Sequence, residues 1–108
     1  MNGAERIAKE RQRQIDEEGW TAEHDKQHRE GELVRAAICY CLSEKARLKA
    51  VFNGAFHLEL FSYLWPWDSK WWKPTPKNCI RELEKAGALI AAEIDRLLRL
   101  LPPDGDGE

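Results

Sequence analysis

Between Ile80 and Leu101 the chain sets Ile80, Leu83, Gly87, Ile90, Ile94, Leu97 and Leu101 at alternating steps of three and four residues. Only an α-helix brings positions so spaced to one side, so a long amphipathic helix is predicted here. Thr75 followed by Pro76 is a suitable helix start, with proline at the first helical position, and Pro102-Pro103 stop it. Gly87 inside the stripe costs about 1 kcal/mol relative to alanine. Close approach of another helix, at Ala36-Ala37, is the expected compensation. One long amphipathic helix needs others to cover it, so the fold expected is mainly α: a small bundle of about four helices.

The N-terminal stretch supplies a second helix. Asn2 with Glu5 three residues on resembles a capping box, and Gly19 ends the run. Its apolar stripe is thin (Ala4, Ile7, Ala8, Ile15) and is continued by Arg11 and Gln14, so its inner face either fringes the core or lines a wet pocket. Thr21 caps one turn of helix in the polar segment 21–30. GELVRAAICYCL, from Gly31, is apolar almost all round and reads as the central buried helix. Over residues 43–64, Leu48, Val51, Phe52, Ala55, Phe56, Leu60, Tyr63 and Leu64 fit a helix broken at Asn53-Gly54. The alternative is a short β-hairpin around residues 48–60, because Asn-Gly is a turn signal and residues 56–60 alternate. A two-residue Asn-Gly loop would set Leu48 opposite Glu59, which mixes the two faces and favours the helix.

Composition limits function. A chain of 108 residues is one domain, taken as helical over 1–101 with a disordered acidic tail over 102–108. Its net charge of −2 provides no basic field for duplex nucleic acid or an anionic membrane. No apolar leader region and no run of transmembrane length is visible, so a cytoplasmic location is expected. Cys39, Cys41 and Cys79 lack metal-site spacing and read as small buried apolar residues.

Chemistry is expected in two places. WPWDSKWWKP, residues 65–74, carries four of the five tryptophans between Pro66 and Pro74. The prolines pin the loop ends, so Trp65 and Trp72 are expected to pack into the body. Trp67 and Trp71 stay free to stack on a flat ligand, with Asp68 accepting hydrogen bonds and Lys70 or Lys73 meeting phosphate. The second place is Glu23-His24-Asp25-Lys26-Gln27-His28, where His24 and His28 stand four apart, a spacing that could chelate a divalent metal with Glu23, Asp25 or Glu32 nearby. Solvated or capping histidines are the commoner use of such a segment.

ERQRQIDEEGWTAEHDKQH, GELVRAAICY, WPWDSKWWKP and KAGALIAAEIDRL, in that order, resemble a family of small proteins carried by tailed phages and prophages of proteobacteria. The resemblance covers residues 4–41 and 65–97, implies a bacterial host cytoplasm, and brings no function with it. The ERQRQ, GEL-AA and late E-L-x-x-A segments also resemble MazG-type all-α nucleoside triphosphate pyrophosphohydrolases, whose EExxE and ExxD carboxylates hold Mg²⁺ against a triphosphate. Here Glu32 stands alone, with Arg35 and Ala36 where further acids would fall, and Lys85 replaces the aspartate of ExxD. That resemblance implies a nucleotide pocket whose metal site is lost.

The function expected is therefore non-catalytic binding of a small nucleotide-like ligand, without a cofactor, which could sequester a host nucleotide signal. Trp20, Trp67 and Trp71 would stack, His24, Asp25, His28 and Asp68 would recognise polar groups, and Arg11, Lys70 or Lys73 would hold phosphate. The alternatives are a diverged Mg²⁺-dependent pyrophosphohydrolase using Glu32, Asp25 and His28, and an interaction module that inhibits a host protein. The apolar surface of the last helix, with Leu98 beyond the main stripe, further predicts a homodimer.

Overall fold

The computed structural model describes residues 1–53 and 56–102, so the tail expected from residue 102 lies, from 103 on, outside the described residues. The protein is mainly helical, as expected. In chain order the elements are α1 (Gly3–Glu18), α2 (Ala22–Asp25), α3 (Glu32–Cys41), α4 (Glu44–Arg47), β1 (Ala50–Asn53), β2 (Phe56–Glu59), α5 (Leu60–Leu64), a 3-10 turn over Ser69–Trp71, and α6 (Cys79–Leu98).

Local chemistry accounts for most boundaries. Asn2 accepts from Glu5 N and the Glu5 side chain accepts from Asn2 N, a complete capping box for α1. Gly19 closes α1 in the left-handed conformation (φ 73°), which glycine adopts without strain. Thr21 caps α2 and Ser43 caps α4. α6 starts later than its sequence suggests: Asn78, not Thr75, caps it by accepting from Arg81 N, and Thr75 instead donates from N and Oγ1 to Glu82.

The helix expected over 43–64 is replaced by α4, a hairpin and α5. β1 and β2 pair antiparallel with Asn53 opposite Phe56 and Ala50 opposite Glu59, and Leu60 N donates to Lys49 O at 2.7 Å. That register is shifted by two residues from the Asn-Gly register considered above, so Glu59 meets Ala50 instead of Leu48 while the residues sharing each face stay the same; the hairpin pairs in spite of its mixed faces. Gly54 lies outside the described residues.

α6 is the central strut, packed between α1 and α3. Its buried face carries Glu82, Lys85, Ala86, Leu89, Ala92 and Arg96, opposite α3's Leu33, Ala36, Ala37 and Tyr40 in the core. Small side chains bring the helices close. The apolar stripe that identified this helix points the other way: Ile80, Leu83, Ile90, Ile94, Leu97, Leu98 and Leu101 are 37–60% exposed. Val34 and Ile38 are exposed on α3, so that helix is not buried all round, and Cys41 and Cys79 are exposed while Cys39 is buried. Gly87 does meet a neighbouring helix, but the helix is α1. A Cβ there would lie 2.6 Å from Ile7 Cδ1, whereas no atom of Ala36 or Ala37 is among its nearest neighbours. No helix among the described residues is long and apolar enough to cross a membrane.

Candidate ligand-binding site

The polar inner face of α1 decides where a cavity can form. Glu10 and Gln14, one turn apart, are buried between α1 and α6. A buried carboxylate requires compensation, and Glu10 has it from both sides. Arg13 grips it through Nε and Nη2 (2.7 and 2.9 Å), and Arg81 of α6 reaches it at 2.6 Å. Burial alone would push the Glu10 carboxyl up, but the hydrogen bonds and charges of the two arginines outweigh it, and Glu10 is held below the ordinary glutamate range. A carboxyl depressed by folding contributes stability that is complete above the unfolded value, about pH 4.3, and is lost as pH falls through the folded one. Glu10→Gln is accordingly expected to flatten the acid limb of the unfolding profile below about pH 5, followed by circular dichroism. An unchanged acid limb would show that the arginines do not act through Glu10.

Every buried carboxylate among the described residues has such a partner. Asp25, fully buried, is held by Arg11 Nη2 at 3.1 Å, and Glu82 lies 3.6 Å from Arg47 Nη2. This corrects the roles expected of Arg11 and Asp25. Arg11 also donates to Trp20 O at 2.9 Å and is committed to tying α2 and Trp20 onto α1, not to phosphate. Asp25 is the other half of that tie and does not line the site.

The tryptophan loop runs from core to surface. Trp65 is buried, stacked on Phe61 with ring centroids 5.7 Å apart, and donates from Nε1 to Asp68 O at 3.1 Å. Trp72 is partly buried against Tyr40 and Phe61, under the Arg47 guanidinium at 5.0 Å. Trp67 stands edge-on to Trp65 on one side and to Trp20 on the other, with centroids 5.4 and 5.0 Å apart. Trp71 is 56% exposed. Trp65 and Trp71 thus fall as the prolines suggest, whereas Trp67, expected to stay free, is partly buried like Trp72.

The end of the loop is held by a bracket on a single residue. Lys73 N donates to Tyr40 Oη at 3.2 Å, and Lys73 O accepts from Lys85 Nζ at 2.6 Å. Burial pushes the Tyr40 hydroxyl up to about 12, so it stays protonated. Burial likewise lowers the Lys85 ammonium below the ordinary lysine range.

Trp20, Trp67, Trp71 and Glu18 form a wall shared by two cavities. The outer slot, about 300 Å³, is completed by His24, His28 and Asp68. The two imidazoles lie 4.8 Å apart, edge to face, and His28 is 5.2 Å from Trp67. The inner chamber, about 340 Å³, adds Tyr40 and Trp65 to the aromatic wall and is floored by Glu10, Gln14, Arg13 and Arg81, with Lys73 and Lys85 at its side. Arg13, Arg81, Lys73 and Lys85 share it with Glu10 and Glu18, and Glu17 and Glu84 beside it also pair with Arg13 and Arg81, so carboxylates match the cations in number.

Trp20, His24, His28, Trp67, Asp68 and Trp71 thus come together as expected, and Lys73 joins them from the inner side. Lys70 does not line either cavity; its ammonium lies over the outward Trp71 ring at 5.4 Å. Asp68 Oδ1 accepts from Lys70 N at 2.9 Å, which leaves its other oxygen to the slot. His28 Nδ1 lies 3.5 Å from Glu32, but among the described residues no group of three His, Cys, Asp or Glu side chains is placed to hold a metal. Sequence reasoning missed Glu10, Arg13, Glu18, Tyr40, Arg81 and Lys85. A usable signal existed for two of them: Arg81 and Lys85 are four apart on the side of α6 away from its apolar stripe.

Compared with protein-family models, curated proteins and solved structures, the chain finds no match.

Proposed function

We propose that the protein binds a small nucleotide-like anion, with a planar ring against the Trp20–Trp67–Trp71 wall and its phosphate toward Lys73 and Lys85. The observation that carries this reading is the pairing of an aromatic wall with these two lysines in one cavity of ligand size. Arg13 and Arg81 are engaged by Glu10, Glu17, Glu18 and Glu84 and hold the floor of the cavity in place. Nothing in this arrangement calls for turnover. Lys85, which stands where the MazG-type resemblance puts a carboxylate, donates to Lys73 O, and each buried acid is matched by an arginine.

The test is a titration of purified protein with nucleoside mono- and triphosphates, read by tryptophan fluorescence with and without Mg²⁺. Saturable quenching is expected, weakened about ten- to a hundredfold in Trp71→Ala, since one stacked ring is worth about 1–3 kcal/mol. Quenching unaffected by Trp71→Ala would rule out the wall. Mg²⁺-dependent release of pyrophosphate would replace binding with hydrolysis as the function.

The reading extends to a homodimer formed through α6. Six Ile and Leu side chains of α6 (Ile80, Leu83, Ile90, Ile94, Leu97 and Leu98), with Leu101 just beyond it and Val34 and Ile38 on α3, are exposed, and apolar side chains in such number mark an interaction surface. Spacing by threes and fours is the seam of a two-helix coil, and a second copy of α6 supplies the matching seam about a twofold axis. The tail PPDGDGE has no large apolar side chain to cover it. Light scattering is expected to give twice the chain mass of 12.5 kDa, falling to the single-chain value in Leu83→Asp/Ile94→Asp. A wild-type monomer at high concentration would refute the dimer.

A further inference from the structure

Gln14 is 4% exposed and lines the inner chamber. Its amide orientation is fixed by its neighbour: Nε2 faces Glu10 Oε2 at 3.2 Å, and only the amine end can face a carboxylate. Oε1 is therefore the end left over, and it is shielded from solvent without a hydrogen-bond partner among the described residues. A buried carbonyl oxygen is rarely left so. Three of the four cations that share the chamber are already directed elsewhere. Arg13 and Arg81 both point at Glu10, and Lys85 donates to Lys73 O.

We infer that Gln14 Oε1 is the specificity element of the chamber and accepts a hydrogen bond from a neutral ring N–H of the bound ligand. This rests on the nucleotide-like reading above and narrows it to rings that carry an amino or lactam N–H. The chamber excludes the other donors. Its aromatic lining, which includes Trp20, Trp65, Trp67 and Tyr40, favours a flat group over an alkyl ammonium. A site built to hydrogen-bond a donor discriminates strongly against an analogue that lacks it, because the buried acceptor then stays unpaired.

The probes are two matched pairs: AMP against AMP dimethylated on its exocyclic amine, and GMP against GMP methylated at its ring N–H and dimethylated on its exocyclic amine. Fluorescence titration of the wild-type protein is expected to favour the unmethylated member of at least one pair by about tenfold or more. Gln14→Leu, similar in size but with no acceptor, is expected to bring that pair within about twofold. Retained preference in Gln14→Leu means that the methyl groups are excluded by shape, and the inference is wrong. Equal binding of both members by the wild type also overturns it, and that comparison requires no variant to fold. Binding without discrimination sinks this inference alone, whereas no binding of any of the four sinks the nucleotide-like reading with it.

Discussion

Trp65→Ala should lower the free energy of unfolding by about 3–5 kcal/mol, and Trp71→Ala by no more than about 0.5 kcal/mol, although the two residues share one loop. Trp65 is buried, stacked on Phe61, flanked edge-on by Trp67 and Trp72, and hydrogen-bonded through its indole to Asp68 O. Its removal leaves a cavity that Phe61 and Tyr40, themselves packed, cannot close. Trp71 presents more than half of its surface to solvent, with the Lys70 ammonium over its ring. Denaturant unfolding of the two variants gives the comparison directly. Equal losses would mean that the loop folds as one packed unit, and Trp71 would then be no independent stacking surface.

Asp25→Ala is expected to cost about 3–5 kcal/mol, because it strands the Arg11 guanidinium, itself largely buried, without its counter-charge. The double variant Arg11→Met/Asp25→Leu should recover most of that loss, since neither charge remains to be compensated. Chemical denaturation of the two single variants and the double gives the coupling. A loss below about 1 kcal/mol in Asp25→Ala would return Asp25 to the ligand-recognising role that its neighbours His24 and His28 suggest.

The residues that were legible in sequence are those whose roles are local. Asn2, Thr21 and Gly19 act within a turn of where they sit, so the ends of α1 and α2 could be placed. The prolines of the 65–74 loop likewise point to Trp65 as held and Trp71 as free, though not to the packing of Trp67. α6 shows the limit. Periodicity establishes that it is a helix but not which side faces inward, and the buried side holds Glu82, Lys85 and Arg96, which hydropathy alone assigns to solvent. Two of them find their partners elsewhere in the chain, Arg47 for Glu82 and the Lys73 carbonyl for Lys85, whereas Arg96 pairs with Glu93 of the same helix. Arg11 and Asp25 fail in the same way. Each is a plausible ligand contact alone, and only their mutual distance shows that they satisfy one another. The hairpin, held as the alternative over residues 48–60, forms with Asn53 opposite Phe56 and Ala50 opposite Glu59, so mixed faces were no ground for preferring a helix.

The bracket on Lys73 bears on how quickly and how tightly the loop can respond to a ligand. Trp65 fixes one end of the segment and Tyr40 with Lys85 fixes the other, each through groups already buried. The segment between them is a closed loop whose chain entropy was lost when the protein folded, so docking a ring requires little further ordering of the backbone. Affinity gained in this way comes without new contacts. Loosening the bracket, as with Tyr40→Phe, should then weaken binding while leaving every stacking surface in place, and the loss should appear as a less favourable entropy of binding in calorimetry.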